Sequence, residues 1–261
     1  MSEYIQLQAE NEADGIATVT LNRPDKYNAL SRQMWRELQD VFTRLQAESE
    51  RWRCIVLRGA GGHFGAGGDI AEYPEFRFEE STLRDFHEAQ VWGGLQAVLD
   101  CDVPVIAAID GHCLGAGLEL ACCADVRVAT PEAKFGAPIA RLGFPMAPRE
   151  LALIARVAGE ATAREMLLTA AVLRAPALHA RGFLHALCPA HELPAQALAL
   201  AHRAAALSPM AARHNKQTLR ALARSAMQVS DDMARNAYRW ASHAEHIEGI
   251  TAFLEKRPPR F

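Results

Sequence analysis

Two glycine-dense loops, each directly after a short apolar run, constrain the fold of this chain more than any other feature. The first loop covers residues 59–69 and follows the apolar run 54–57, and the second covers residues 111–117 and follows the run 103–109. Short apolar runs bounded by glycines are typical of buried strands. Because both loops lead into helical patterns, the sequence predicts an α/β architecture whose strand-to-helix loops gather at one sheet edge.

The remaining patterns extend this architecture along the chain. Alternating residues around a turn at Gly15 predict a hairpin, and Ser31 is a predicted N-cap for a helix that carries apolar residues at helical spacing. Short strands are predicted over 125–129 and 134–136, with a helix over 148–157 that a proline opens. From residue 161 the sequence is helical and alanine-rich, and residues after about 205 are predicted to form a C-terminal appendage.

The charge and hydropathy exclude two kinds of partner. The formal charge is −3 with a pI near 6.4, and the basic residues are scattered, so no nucleic acid is expected as a partner. The longest apolar region, 103–124, is interrupted by Asp110, His112 and Glu119, so no membrane span is expected. The N-terminal residues lack the features of a secretory signal, which predicts a cytoplasmic location.

The cysteines and histidines do not have the spacing of a metal site. The only close cysteine pair is Cys122 and Cys123, and adjacent residues cannot present two ligands as a CxxC pair does. No HExxH pair occurs among the ten histidines. We therefore expect buried, reduced cysteines and no bound metal.

The glycine loops lack the spacing of the common nucleotide and nucleophile motifs. GxxxxGK[ST] and GxSxG are absent, and residues 65–69 do not have the phase of a dinucleotide fingerprint. Small residues let a backbone approach a ligand closely, and the first NH groups of a helix have no intrahelical partner. Two such loops facing each other would form an oxyanion hole, while the alternative is that small residues merely permit tight packing. The residue pattern alone leaves both interpretations open.

Several ordered segments carry a resemblance to a known family. They are residues 22–30 (NRPDKYNAL), 63–70 (HFGAGGDI), 104–111 (PVIAAIDG), 114–120 (LGAGLEL), 124–129 (ADVRVA) and 134–136 (KFG). In order and spacing these segments resemble the signature blocks of the crotonase (enoyl-CoA hydratase/isomerase) superfamily. The resemblance extends from roughly Ile5 to Phe261.

The resemblance implies a fold and a ligand. The fold would be a spiral core of ββα units over residues 1–200, which holds the acyl-CoA site, followed by a helical oligomerisation region over residues 201–261. Relatives of this type form homotrimers that frequently pair into homohexamers. The ligand would be a coenzyme A thioester as substrate, with no permanently bound cofactor.

The resemblance also assigns roles to individual residues. The backbone NH groups of Ala66 and Ala116 match the two oxyanion donors, and alanine at position 116, where many relatives have glycine, requires ordinary backbone angles. Tyr73 resembles a tyrosine that contacts an aromatic acyl group, with helix packing as the alternative, and Asp69 is either substrate-linked or a helix cap. The segments that would bind the substrate and its coenzyme A contain Lys26, Leu30, Ala66, Asp69, Ile70, Tyr73, Gly115, Ala116 and Ile139.

Glu119 and Ile139 occupy the two positions at which familiar hydratases resemble one another in having carboxylates. Glu119 follows Ala116 by three residues on the same helical turn, so its carboxyl can face the reacting carbons, and burial would raise its pKa. Ile139 stands where the second carboxylate would be and can neither donate nor accept a proton. The alternative for Glu119 is a solvated glutamate at a helix start, favoured by the helix dipole.

Other charged residues near these segments are interpreted as structural. Arg141, Arg149 and Glu150 are predicted to be solvated surface groups on the acyl-pocket wall. His63 and His112 lie in the glycine loops and are predicted to make local hydrogen bonds, since no partner carboxylate is evident.

The resemblance, together with these residues, implies a lyase of fatty acid metabolism that hydrates an enoyl-CoA or dehydrates its product, with Glu119 as acid and base. Because of Ile139, four alternatives remain open: an acyl-CoA decarboxylase, an isomerase, a hydrolase, or a weakly catalytic acyl-CoA-binding paralogue.

Overall fold

The chain forms a larger and a smaller sheet with helices packed against them. The computed structural model describes residues 4–11 and 14–224, together with the single residues 244, 245, 248, 255, 257 and 260. The six-stranded sheet contains, in spatial order, β1 (Ile5–Asn11), β2 (Ile16–Leu21), β3 (Cys54–Gly59), β4 (Val105–Ile109), β6 (Val126–Ala129) and β9 (Ala186–Leu187). The three-stranded sheet contains β5 (His112–Leu114), β7 (Lys134–Gly136) and β8 (Val172–Arg174).

The centre of the larger sheet is parallel and covered on both faces. β2 pairs with β3, β3 with β4 and β4 with β6, all in parallel, and every residue of β2 and β4 is buried. Continuous apolar runs are typical of strands buried on both faces. The predicted hairpin is confirmed as the antiparallel pair β1 and β2, and the predicted strands at 54–57, 103–109 and 125–129 are confirmed with slightly different limits.

The helices follow the apolar periodicity. They are α1 (Arg32–Ala47), α2 (Glu80–Asp85), α3 (Trp92–Asp100), α4 (Ala116–Cys123), α5 (Pro148–Ala158), α6 (Glu160–Leu168), α7 (Ala175–Ala180), α8 (Leu193–Ala205) and α9 (Pro209–Arg224). The predicted cap of α1 is confirmed, since the Ser31 hydroxyl accepts a hydrogen bond from the Met34 NH at 3.2 Å. The helix predicted over 148–157 is confirmed as α5.

The second glycine loop is more ordered than the sequence predicted. Residues 112–114 form β5, which pairs in parallel with β7, and the Gly115 NH continues this pairing with a hydrogen bond of 2.8 Å to the Gly136 carbonyl. The loop is therefore held against β7 before α4 begins.

The end of the chain is described only in part. α8 crosses the predicted boundary between residues 200 and 201, and it buries Ala197 and Ala201 against Val56 and Ala108 of the larger sheet. Most of the predicted oligomerisation region, from residue 225 onward, lies outside the described residues, so that assignment stays a prediction. Within the described residues no helix combines the length and the apolar character needed to span a bilayer. All six cysteines are buried and unpaired, as expected.

Candidate active site

A cavity opens where the two glycine loops meet the start of α5. Its volume is about 290 Å³, and its wall is largely apolar. The polar and charged side chains that reach it are those of Glu119, Glu150, His87, Tyr73, Arg77 and Arg141. The loop residues Ala66 and Ala116 also line it, so the two predicted oxyanion positions and Glu119 face one space.

The two loops touch through glycines. The Gly65 NH donates to the His112 carbonyl at 2.7 Å, and the Leu114 NH donates to the Gly65 carbonyl at 2.8 Å. A Cβ placed on Gly117 would lie 2.4 Å from the Gly65 oxygen, so only glycine allows this approach. The contact fixes the spacing between the predicted donors at positions 66 and 116.

The Ala116 NH stands at the start of a helix. Ala116 is the first residue of α4, where a backbone NH has no intrahelical acceptor. Gly115, which precedes it, has φ +47° and ψ −116°, a conformation that requires glycine. Ala116 itself has no positive φ, as its side chain requires. Among the residues that the structure describes, no acceptor is found for the Ala116 NH, so it can donate to a ligand atom in the cavity.

The Ala66 NH already has a partner in this structure. It donates to the Tyr27 carbonyl at 3.0 Å, in the turn that contains the predicted coenzyme A segment. Among the described residues, no acceptor is found for the NH of the next residue, Gly67, which has φ +112°. Ala66 could therefore serve an oxyanion only by sharing or releasing this hydrogen bond, and Gly67 offers a neighbouring free donor.

Glu119 presents a buried carboxyl to the cavity. Its side chain is on the first turn of α4, and the residue is 8% exposed. No group within the described part of the chain donates to it. Burial raises the pKa of Glu119 to about 8, with a further contribution from the negative charge of Glu150. At neutral pH Glu119 therefore holds a proton and faces the cavity.

The second carboxylate of the cavity comes from an unexpected element. Ile139 lines the cavity, so its position supplies no acid or base. Glu150, predicted to be a solvated surface group, is only 2% exposed and lines the same cavity, which makes that prediction wrong. The signal for its burial was present in the sequence, because Glu150 precedes the buried Leu153 and Ile154 by three and four residues on one face of α5.

Glu150 is held by His87, which the sequence analysis did not single out. The His87 Nδ1 lies 3.0 Å from the Glu150 Oε1. The residues next to them in the chain, Glu88 and Arg149, form an ion pair in which the Arg149 Nε lies 3.3 Å from the Glu88 Oε2. His87 lies in a π-helical turn, residues 86–91, whose single turn has no periodicity that a sequence could reveal. Arg149 is exposed, as predicted.

The other predicted binding residues lie at different depths around the cavity. Ile70 is 53% exposed and lines the cavity mouth, and Tyr73 lines its wall, where burial raises the pKa of the phenol. Leu30 is buried in the core beneath the first loop, and Lys26 is exposed on a short turn. Asp69 caps the turn that follows it, accepting from the Ala71 NH at 3.1 Å, and forms an ion pair of 2.7 Å with Arg23.

The two loop histidines lie outside this cavity. Their rings stack at 4.7 Å, and the His112 NH donates to the His63 Nδ1 at 3.1 Å, in agreement with the predicted local hydrogen bonding. Burial lowers the pKa of His112. Arg141 lines the cavity but is exposed and donates to the Ala170 carbonyl. No cluster of potential metal ligands was found among the residues that the structure describes.

Comparison with known proteins identifies the family that shares these features. The profile of the enoyl-CoA hydratase/isomerase family matches residues 11–261. The 2,3-dehydroadipyl-CoA hydratase of Escherichia coli is 33% identical over 262 residues, which cover 100% of this chain and 99% of that protein. A protein of Mycobacterium tuberculosis named as a probable enoyl-CoA hydratase is 33% identical over 247 residues, or 94% of each chain.

Solved structures give the same result for the fold. An enoyl-CoA hydratase/carnithine racemase from Magnetospirillum magneticum superposes with a TM-score of 0.93 at 38% identity, covering 99% of this chain and 95% of that one. The enoyl-CoA hydratase from Bacillus anthracis superposes with a TM-score of 0.88 at 28% identity, covering 99% of both chains. The predicted crotonase-like α/β fold is confirmed.

Proposed function

The chain belongs to the enoyl-CoA hydratase/isomerase family, and on that premise we propose that it adds water across the double bond of a 2-enoyl-CoA thioester and catalyses the reverse dehydration. The observation that carries this proposal is a buried, protonated Glu119 in the same cavity as a free NH at the start of α4. A proton donor and an oxyanion donor are the two groups that enolate chemistry on a thioester needs.

Charge stabilisation is the task of the glycine loops. When water adds at the β carbon, negative charge accumulates on the thioester oxygen, and NH donors aimed at that oxygen stabilise the enolate. The Ala116 NH is one donor, and the first loop supplies the other from Ala66 or from the adjacent Gly67. Removal of one such donor typically lowers the rate by about 10² to 10³ fold.

Glu119 is the group that exchanges a proton with the α carbon. A carboxyl with a pKa of about 8 retains its proton at neutral pH yet can release it to an enolate carbon. The opposite transfer, from the α carbon to the carboxylate, starts the dehydration. Both directions use the Glu119 carboxyl, to which no group within the described residues donates a hydrogen bond.

The substrate enters along the first glycine loop. Ile70 and Tyr73 line the cavity wall, and the exposed Lys26 offers a positive charge to the phosphates of coenzyme A. The apolar wall suits an aliphatic or aromatic acyl group. We further propose a homotrimer or homohexamer in the cytoplasm, and light scattering of the purified protein tests the assembly.

The test is the loss of the conjugated absorbance of crotonyl-CoA in the presence of the purified chain. We expect turnover by the wild type and a fall of about 10² to 10⁴ fold in Glu119→Gln, which keeps the shape but not the exchangeable proton. Unchanged turnover in that variant would refute the role of Glu119.

A weakly catalytic acyl-CoA-binding protein is the second candidate, favoured by Ile139 at the position of a usual carboxylate. Calorimetry with crotonyl-CoA distinguishes the two, since binding without product would support the second. Mass spectrometry of the products from three other thioesters extends the test. Malonyl-CoA tests decarboxylation, a 3-enoyl-CoA tests isomerisation and 2,3-dehydroadipyl-CoA tests hydration of a longer acyl group. Release of free coenzyme A from any of them would indicate hydrolysis.

A further inference from the structure

Glu119 and Glu150 face one cavity in two different environments. Glu119 comes from the first turn of α4 and Glu150 from the first turn of α5, and the negative charge of Glu150 acts on Glu119. Glu119 has no donor in the described part of the chain, whereas Glu150 contacts a ring nitrogen of His87. Two carboxyl groups in such different surroundings are suited to different roles in proton transfer.

The direction of the hydrogen bonds assigns the role of the Glu150 oxygen. Arg77 Nη1 lies 3.4 Å from the Nε2 of His87, and a guanidinium has only donors, so Nε2 is the acceptor. The neutral ring then carries its proton on Nδ1 and donates it to the Glu150 Oε1 at 3.0 Å. The Glu150 Oε1 is therefore the acceptor at the end of this chain of hydrogen bonds.

Arg77 is fixed by aromatic rings. Its guanidinium carbon lies 4.4 Å from the ring centre of Tyr73 and 3.9 Å from that of Phe144. Stacking of this kind holds a planar cation in place. Within residues 14–224 no carboxylate forms an ion pair with Arg77, and its hydrogen bond to His87 links it to Glu150.

We propose that Glu150 is a second catalytic carboxylate, which takes a proton from the attacking water, while Glu119 delivers a proton to the α carbon, and that His87 and Arg77 position Glu150. This inference rests on the proposed hydration. It places the second proton-transfer group on α5, in the cavity where Ile139 stands at the usual position of the second carboxylate.

The proposed step balances. The water oxygen bonds to the β carbon, one water proton passes to Glu150, and the electron pair of the carbon–carbon double bond moves to the thioester enolate. The enolate then takes the Glu119 proton at the α carbon and regains its carbonyl. Glu119 ends as a carboxylate and Glu150 as an acid, and proton exchange with solvent restores the starting states.

Two readouts separate the two roles. The first is hydration of crotonyl-CoA, which needs both groups. The second is exchange of the α hydrogens of saturated butyryl-CoA in deuterium oxide, which needs only the group at the α carbon. We expect Glu150→Gln to lower hydration by about 10² to 10⁴ fold and to keep α-hydrogen exchange, whereas Glu119→Gln loses both activities.

The control for the fold is Glu88→Gln. It removes the neighbouring ion pair with Arg149, which also joins the π-helical turn to α5, but it touches neither cavity carboxylate. We expect both activities to remain in this variant. Hydration that survives in Glu150→Gln, or α-hydrogen exchange that falls as far as hydration, overturns the role of Glu150. A wild type that hydrates no enoyl-CoA refutes the proposed function itself, and the base role falls with it.

The positioning residues are tested by matched pairs. In His87→Asn the amide NH can take the place of Nδ1–H, whereas His87→Leu has no donor. We expect His87→Leu to lower kcat by up to about 100 fold, as misplaced catalytic groups do, with little change in KM, and His87→Asn to recover much of the loss. The same pattern is expected for Arg77→Met and Arg77→Lys. Equal losses within a pair, or a change confined to KM, would refute the positioning role.

Discussion

Replacing Glu119 by glutamine is expected to change the pH dependence of stability as well as activity. In the folded protein the pKa of Glu119 is about 8, against an ordinary value of 4.5, because the carboxyl is buried and lies near Glu150. The unfolded chain therefore releases this proton at a lower pH than the folded chain does. The stability that the protonated carboxyl contributes is complete below about pH 4.5 and is lost as the pH rises through about 8.

The size of the effect follows from these two values. Glutamine is neutral in both states, so the Glu119→Gln variant lacks this pH-dependent contribution. The free energy of unfolding of the variant should rise relative to that of the wild type by about 2.5 kcal/mol between about pH 5 and about pH 7. Between about pH 5 and about pH 9 the rise in the variant's free energy of unfolding, relative to that of the wild type, should approach about 4 kcal/mol.

Urea unfolding at several pH values, followed by far-ultraviolet circular dichroism, measures the difference. The protein concentration has to stay fixed, because any assembly would couple to unfolding. Glu132→Gln is the matched control, since Glu132 is exposed and its removal should leave the two stability curves parallel. Parallel curves for Glu119→Gln as well would refute the raised pKa and, with it, the assignment of Glu119 as a proton donor at neutral pH.

Two further predictions concern the glycine loops. Ala116→Pro removes one NH at the first position of α4, where proline is tolerated. The kcat for crotonyl-CoA should fall by about 10² to 10³ fold in this variant, whereas Ala116→Gly, which keeps the NH, should stay active. Equal activity of the two variants would contradict the donor role. Gly117→Ala places a Cβ 2.4 Å from the Gly65 carbonyl oxygen, so thermal denaturation should reveal a loss of about 1 to 3 kcal/mol. An unchanged melting temperature would argue against the tight contact of the loops.

The sequence could predict those elements whose cause is local. The hairpin depends on alternation around Gly15, α1 depends on the Ser31 cap and its apolar periodicity, and both are found as predicted. The family-like spacing of the glycine blocks also predicted that Ala66, Ala116 and Glu119 share one cavity. Each of these features is encoded within a few consecutive residues.

What the sequence could not predict depends on contacts between distant segments. Glu150 and His87 are 63 positions apart, and only the docking of the π-helical turn against α5 brings them together. The hydrogen bond from the Ala66 NH to the Tyr27 carbonyl likewise joins two loops. The prediction of a solvated Glu150 is wrong because charged side chains are usually exposed, whereas this one lies on the buried face that the apolar spacing of α5 indicates.

The location of Glu150 shows that a carboxylate can reach this cavity from a chain segment other than the one that contains Ile139. Hydration needs a base within reach of water at the β carbon and an acid at the α carbon, and both requirements concern points in the cavity and not positions in the chain. The start of α5 reaches the same space as the segment that contains Ile139. A carboxylate lost from one wall can therefore be supplied from another, provided that a donor such as His87 stabilises its charge after burial. The absence of a glutamate at position 139 by itself does not remove the capacity for two-carboxylate chemistry.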